Sequence, residues 1–166
     1  SGDFACTNVD DAKKLISNKY TGNNFIAYFQ SYTNTYADVS YLRNLFMPVI
    51  NNPDVKILSI ATRPDCLDDS VITLLDELNK IKPVWIELGL QTIHKKTSDY
   101  IRRGYELDIF TDAVKRLNNS DIKVIVHMIL GLPGESDEMM LDTARFIANS
   151  GAWGIKLQLL HVLKGT

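Results

Sequence analysis

Polar side chains recur near the carboxyl ends of the predicted strands, and these residues could do chemistry. In the stretch IELGLQT, Glu87, Gly89 and Gln91 are spaced two apart, so they share one face of an extended strand. A carboxylate and an amide on either side of a glycine predict two hydrogen-bonding partners with room for a ligand between them. A hydrated or mutually bonded polar pair is the alternative interpretation.

Two other strand exits carry polar groups. YFQSYTNTYAD is dense in amides and hydroxyls that could bind a zwitterionic or sugar-bearing ligand, or it is an ordinary loop whose Asp38 caps the next helix. In ATRPDCLDD, Pro64 biases Arg63 toward extended geometry, so its guanidinium could be aimed in a defined direction. Asp65 and Asp68 could instead pair with Arg63 or cap the next helix. His127, on a later strand, is either a core histidine or a functional one.

The stretch MILGLPGES, residues 128–136, is predicted to be a strand exit and turn, with Ser136 as the N-cap of the helix that follows. Acidic side chains at the start of this helix suit its positive end, but they would repel a phosphate. A phosphate-binding loop is therefore not expected. In IRRGY, Gly104 reads as the C-cap of a helix that ends at Arg103.

The elements that must position these groups are strands and helices in alternation. Five apolar runs of strand length are separated by segments with helical spacing, and they cover residues 25–30, 55–61, 84–90, 124–130 and 155–162. Such alternation predicts a parallel α/β sheet, either a barrel or an open doubly wound sheet. Polar residues recur on one strand face, as with Tyr28, Lys156 and Gln158. Under helices they would be costly, whereas a barrel lumen accommodates them, so a barrel is favoured.

Further predicted helices cover residues 9–20, 95–103, 108–118 and 136–149, and Pro48 is predicted to kink or end the helix that contains it. The helix at 9–20 is preceded by no strand in this chain.

Length and composition indicate what kind of protein this is. The chain has 166 residues, of which 45% are hydrophobic and 23% charged, and this predicts one soluble domain with a sizeable core. No apolar stretch is long enough for a membrane span and no signal peptide is evident, so the cytoplasm is the expected compartment. A net charge of -2 lacks the basic excess that is typical of proteins that bind duplex nucleic acid, although nucleic acid is not excluded. Cys6 and Cys66 are too far apart in sequence to indicate a metal cluster.

Taken in order, TRPD, ELGLQT, IRRGY and MILGLPGES resemble the radical S-adenosylmethionine (radical SAM) superfamily. The likeness is greatest to its branch with the oxygen-independent coproporphyrinogen oxidases and the Elongator catalytic subunit. SGDFA and YFQSYTNTYA look like a bacterial subfamily of radical SAM iron–sulfur oxidoreductases. The resemblance implies five parallel strands of a partial (β/α)6 barrel whose first strand is missing. It also implies a [4Fe–4S] cluster and S-adenosylmethionine (SAM), cleaved reductively to a 5′-deoxyadenosyl radical that abstracts hydrogen from a substrate.

The resemblance also suggests which residues contact SAM, and it assigns no catalytic residue. The loop after the first strand would meet the methionyl amino group, and the segment Met128 to Leu132 would pack on adenine through backbone and apolar contacts. In Arg103-Gly104-Tyr105, tyrosine replaces the family's histidine. The residues assigned to SAM are Gln30, Ser31, Thr33, Thr35, Arg63, Glu87, Gln91, Thr92, Arg103, His127, Met128, Leu130 and Gln158.

The family's cluster-binding cysteine triad is absent, and neither Cys6 nor Cys66 can replace it. We therefore expect residues 1–166 to be a single fragment of a radical SAM core that begins just after the cluster loop, binds no cluster and is inactive as it stands. The longer protein would need an electron donor and would act on a small molecule or RNA. Two alternatives stay open: a barrel enzyme using His127 and Glu87 for acid–base chemistry, and a noncatalytic binding module.

Overall fold

The strands and helices alternate along the described residues, which in this computed structural model are 22, 24–30 and 32–162. The strands are β1 (Phe25–Phe29), β2 (Val55–Thr62), β3 (Val84–Gln91), β4 (Lys123–Leu130) and β5 (Gly154–Leu159). The helices of this part are α1 (Val39–Asn51), α2 (Asp69–Ile81), α3 (Lys95–Tyr100), α4 (Leu107–Asn119) and α5 (Asp137–Asn149), with a short 3-10 turn at Pro64–Cys66.

The strand order distinguishes a barrel from an open sheet. All neighbouring strands are parallel and follow chain order, β1-β2-β3-β4-β5. A doubly wound sheet would reverse its order at a switch point, whereas this order, with right-handed crossovers, keeps the helices on one side. The sheet is therefore a half-barrel. The barrel-like prediction is confirmed, and the open sheet is wrong.

The core lies between the outer face of the sheet and the helices. On β3, Ile86, Leu88 and Leu90 are fully buried, while the residues between them face the concave side. Phe46 of α1 is also fully buried and meets the ring of Phe29 edge-on, with 5.1 Å between the ring centroids. Each such side chain stabilises the fold by roughly 1.5–3 kcal/mol.

The outer face of β5 is the exception to this pattern. Ile155, Leu157 and Leu159 alternate along it and are 42%, 57% and 62% exposed. Within residues 32–162, no helix covers this face.

The caps of the helices follow local side-chain chemistry. Asp38 accepts a hydrogen bond from the backbone of Ser40 at 2.8 Å, and Asp68 accepts one from Val71 at 2.9 Å. Ser136 caps α5 as predicted, accepting from the backbone of Met139 at 3.3 Å. Satisfying the free N–H groups at these helix starts is worth about 1 kcal/mol each.

The end of α3 differs from the prediction. The helix stops at Tyr100, and Arg102 has a φ of +53°, in the left-handed region that favours glycine. The backbone N–H of Arg102 donates to Asp99 and that of Arg103 to Ser98, both at 3.0 Å, which is the bonding of a Schellman motif. Arg102, not Gly104, therefore takes the glycine position of this cap.

Three other boundaries also need comment. Helix α1 contains Pro48 and continues to Asn51, so of the two predicted effects of the proline, a kink or an end, the end is excluded. Strand β5 ends at Leu159 rather than at Val162, because it follows the ladder of β4, whose last paired residue is Leu130. The helix predicted at 9–20 lies outside the described residues.

Candidate functional site

One polar side chain from each of the five strands meets the others on the concave face. We call this set the five-strand belt, and its members are Tyr28, Ser59, Glu87, His127 and Lys156. Parallel register explains the meeting, since Tyr28 lies beside Ser59 and His127 lies beside Lys156. The alternation of side chains then turns all five toward the lumen.

Glu87 is the centre of the belt. Ser59 Oγ donates to Glu87 Oε1 at 2.6 Å, and His127 Nε2 lies 2.6 Å from Glu87 Oε2. Lys156 Nζ donates to Glu87 Oε2 at 3.1 Å and to the hydroxyl of Tyr28 at 2.9 Å. The lysine thus links the first strand to the last across the half-barrel.

The belt fixes the charge of its members. Burial disfavours the charged form of Glu87, but hydrogen bonds from Ser59, His127 and Lys156 outweigh it and lower the pKa of Glu87 to about 2. Burial also opposes charge on Lys156, yet its bonds to Tyr28 and Glu87 raise its pKa above the usual value. Burial, the largest cause, raises the pKa of Tyr28. At neutral pH the belt therefore holds a carboxylate, an ammonium group and a neutral phenol.

Gln91 does not pair with Glu87, contrary to one interpretation of IELGLQT. Its φ is +62°, and the ladder between β3 and β4 is irregular between Gly89 and Gln91. The amide nitrogen can donate to the carbonyls of Gly89 at 3.2 Å and Leu90 at 2.9 Å. The end of this side chain lies 2.6 Å from where a Cβ on Gly89 would stand, so the room above the glycine holds the glutamine itself.

Thr92 joins the exit of β3 to the turn after β4. Its hydroxyl is fully buried and donates to Glu135 Oε1 at 2.5 Å. The other oxygen, Glu135 Oε2, is buried and has no hydrogen-bond partner among the described residues. Glu135 is one of the acidic residues at the start of α5 that were expected only to suit the positive end of the helix. Its contact with Thr92 was missed because it depends on two adjacent parallel strands ending side by side.

The loop after β1 is anchored rather than open. Thr35 is 2% exposed, and its hydroxyl contacts Thr62 Oγ1 at 2.6 Å and donates to the carbonyl of Cys66 at 2.6 Å. Asn34, which the sequence reasoning missed, donates through its amide to the carbonyl of Ala61 at 2.8 Å. Thr35 is therefore occupied in holding the loop to β2.

Two other residues assigned from this loop stay accessible. Gln30 is exposed and Thr33 is half-buried, while Ser31 lies outside the described residues.

Arg63 makes a two-pronged ion pair with Asp65, as the simpler interpretation proposed. The two nitrogen–oxygen distances are 2.9 and 2.6 Å, and a further N–H donates to the carbonyl of Arg103 at 3.1 Å. Its charged centre lies 5.4 Å from the centroid of the Tyr105 ring. These contacts fix the guanidinium at the exit of β2.

Within the described residues, Arg103 donates to backbone carbonyls alone. It is 7% exposed and reaches Leu90 at 3.2 Å, Thr92 at 2.6 Å and Tyr105 at 3.0 Å. Its charge lies 4.7 Å from the centroid of the Tyr105 ring, whose hydroxyl is buried with no partner within the described part of the chain. Arg103 thereby ties the end of β3 to the segment after α3.

The segment predicted to pack on adenine divides between two faces. Met128 is 1% exposed and belongs to the core under the helices, and Leu130 packs against that core. Their side chains therefore face away from the lumen. Gln158 is exposed on the concave face, level with Ile129. In the turn that follows β4, Gly131 and Gly134 have φ values of +79° and +83°, and the space at each Cβ position is open.

The described residues offer no cluster site. No group of three or more His, Cys, Asp or Glu side chains in this part of the chain could hold a metal ion. Cys66 is its free cysteine, and burial raises the pKa of that thiol. Cys6 lies outside the described residues. The helices of this part also include none that is long and apolar enough to span a bilayer.

Comparison with known proteins gives the family. The model described as Radical SAM superfamily matches residues 8–147. The chain belongs to the radical SAM superfamily. The uncharacterised protein YtqA of Bacillus subtilis is 44% identical over 173 aligned residues, which cover 100% of this chain and 54% of YtqA. This chain thus spans about half the length of YtqA.

Two solved structures resemble the half-barrel. Elp3 of Methanocaldococcus infernus aligns with a TM-score of 0.74 at 20% identity, over 98% of this chain and 42% of Elp3. Coproporphyrinogen III oxidase (HemN) of Escherichia coli, described as a radical SAM enzyme, aligns with a TM-score of 0.71 at 15% identity, over 96% of this chain and 38% of HemN. At these identities the two structures support the fold alone.

Membership of the radical SAM superfamily implies SAM and a [4Fe–4S] cluster, and its members are typically enzymes. The described residues do not fit a cluster, because they lack a set of thiolates. They do fit an organic cofactor with N–H and O–H donors. Glu135 Oε2 is a buried acceptor without a partner among them, on the residue that follows Gly134 in the turn after β4.

Proposed function

We propose that this chain forms the SAM-binding part of a radical SAM enzyme, as five of the six strands of a (β/α)6 core. The observation that carries the proposal is the half-barrel itself, with consecutive parallel strands, a polar concave face and a family match over residues 8–147. Ligands of such architectures bind at the carboxyl ends of the strands. The strand exits described above form that edge.

SAM would be held by polar groups at this edge that the fold leaves exposed or without a partner. Gln30, Thr33 and Gln91 offer amide and hydroxyl groups, and Glu135 Oε2 offers an acceptor for an N–H or O–H of the cofactor. Thr92 would hold Glu135 in place through its hydrogen bond. When bound and reduced, the family's cofactor supplies a carbon-centred radical that removes a hydrogen atom from the substrate.

The remaining parts of the enzyme would come from the longer protein. We propose that its cluster cysteines lie outside the described residues and that an electron donor reduces the cluster. This chain alone would then bind SAM without cleaving it. The substrate would be a small molecule or an RNA, and the enzyme would work in the cytoplasm.

Equilibrium dialysis with radiolabelled SAM tests the binding step on this chain. We expect saturable binding that Glu135→Gln weakens about tenfold, because a carboxylate accepts more strongly than an amide. Glu138→Gln, on the exposed face of α5, is the matched control and should bind SAM like the parent chain. Binding that is absent, or that both variants reduce equally, would contradict the assignment.

Anaerobic reconstitution of the longer protein with iron and sulfide tests the chemistry. We expect cluster absorbance and SAM-dependent formation of 5′-deoxyadenosine. A second candidate, an acid–base enzyme, has one observation in its favour, the distance of 2.6 Å between His127 and Glu87. A reconstituted protein with neither cluster absorbance nor 5′-deoxyadenosine would favour that candidate and overturn the radical proposal.

A further inference from the structure

The five-strand belt has more donor capacity than the described residues use. We propose that Lys156 binds an anionic oxygen, a carboxylate or phosphate of the substrate, in the lumen, and that Glu87 is the positioning residue that aims it. This deepens the proposed function, on which the word substrate rests, but the binding itself requires no radical chemistry. The argument rests on charge, on unused donors and on rigidity.

The charge of the sheet favours an anion. Glu87 is the only acidic residue in the five described strands, whereas two lysines, Lys123 and Lys156, lie on the face of the sheet that carries the belt. The side chain of Glu87 is 8% exposed and is bonded to three other strands. Its carboxylate is therefore shielded from an incoming ligand, and its charge is offset locally.

Lys156 has a donor left over. An ammonium group carries three N–H donors, and two of them go to Tyr28 and Glu87. The third has no hydrogen-bond partner among residues 22, 24–30 and 32–162, and the side chain is 41% exposed on the lumen side. Gln158, two residues further along β5 on the same face, is exposed and adds amide donors.

The ammonium group of Lys156 is also held in place, although a lysine side chain is usually flexible. Its nitrogen lies 4.4 Å from the centroid of the Tyr28 ring, in addition to its bonds to the hydroxyl and to Glu87. A lysine normally loses much rotamer freedom when it binds a ligand, and here the belt has already restricted it. Fixing a cation in advance is the feature that distinguishes a binding site from an ordinary surface lysine.

The test is an NMR titration of this chain with inorganic phosphate and, separately, with acetate, at constant ionic strength set with sodium chloride. The backbone amide resonances of residues 154–159 report binding beside Lys156. We expect saturable shifts there, which Lys156→Met weakens about tenfold through loss of a charge-assisted hydrogen bond. Lys123→Met is the matched control from the same sheet and should stay within about twofold of the parent chain. The stronger of the two anions tells whether the group bound is a phosphate or a carboxylate.

Glu87→Gln separates positioning from simple charge. Removing the negative charge beside Lys156 would strengthen anion binding if charge alone mattered, whereas we expect weaker binding because the ammonium group is no longer aimed. Stronger binding in Glu87→Gln would overturn the positioning role. Circular dichroism establishes that each variant is folded, and Lys156→Arg, which keeps the charge, should retain part of the affinity.

Two results would overturn the site itself. These are shifts that do not saturate, and shifts that are equal in the parent chain and in Lys156→Met. Neither result would affect 5′-deoxyadenosine formation by the reconstituted longer protein. Loss of this site and failure of the radical proposal are therefore distinguishable.

Discussion

Protonation of Glu87 should weaken the fold in acid. Its pKa falls from an ordinary 4.5 to about 2 in the folded chain, because of the donors in the belt. In the unfolded chain those donors are lost, so the unfolded state takes up the proton first as the pH decreases. The stabilisation is therefore present above about pH 4.5 and is lost between that value and pH 2.

The size of the effect follows from the two pKa values. A pKa change of one unit corresponds to about 1.4 kcal/mol, so the full contribution of Glu87 is about 3 kcal/mol, of which about 2 kcal/mol is lost by pH 3. The side chain is only 8% exposed, so solvent screening reduces this little. Loss of this contribution should appear directly in the free energy of unfolding.

Urea unfolding measures the contribution of Glu87. The parent chain and Glu87→Gln are compared at a series of pH values from 6 to 3. The difference between their free energies of unfolding should shrink by about 2 kcal/mol across that range, because the glutamine variant lacks the titrating group. Glu138→Gln, whose side chain is 68% exposed, should change with pH as the parent chain does. Parallel curves for the parent chain and Glu87→Gln would refute the account of the belt.

Two further predictions concern the strand exits. Thr35→Val removes a buried hydroxyl that bonds two partners, so it should lower the free energy of unfolding by about 1–3 kcal/mol in urea, while Thr33→Val, at a half-buried site, should cost less than about 0.5 kcal/mol. Arg103→Lys cannot reach three backbone carbonyls, and we expect it to lower the melting temperature more than Arg102→Lys, whose side chain is exposed. Equal effects within either pair would contradict the contacts described.

The alternation of strands and helices was predictable because burial imposes a period on the sequence. Runs such as VKILSIAT and KVIVHMIL lie on buried strands, and the helices between them carry an apolar stripe. The cap at Ser136 was predictable for a local reason, since its side chain and the N–H that it satisfies are three residues apart. Contacts between residues so close in the chain can be predicted from the sequence.

Contacts between strands were not predictable in the same way. The partners of Glu87 come from three other strands, β2, β4 and β5, rather than from Gln91 on its own strand, and only register and curvature bring them together. For Met128, the alternation of side chains along a strand could have predicted which face the side chain takes. Since His127 faces the lumen, its neighbour Met128 must face the helices, where its side chain is 1% exposed.

The cap of α3 was missed because glycine is the residue that usually takes a left-handed conformation, and Gly104 lies close by. The backbone uses Arg102 instead, two residues earlier, at a cost of roughly 1–2 kcal/mol. The hydrogen bonds that hold Arg103 to three carbonyls favour the observed position of the turn. That compensation depends on tertiary contacts and cannot be read from the local sequence.

The five-strand belt also has a consequence for folding. A strand that pairs one residue out of place turns its belt side chain toward the helices, because successive side chains face opposite sides. Glu87 or Lys156 would then be pushed into an apolar core without its partners, at a cost of several kcal/mol. With one such residue on every strand, misaligned sheets are penalised at each step from β1 to β5. The polar side chains of the lumen therefore act as a check on strand alignment while the chain folds, before any ligand arrives.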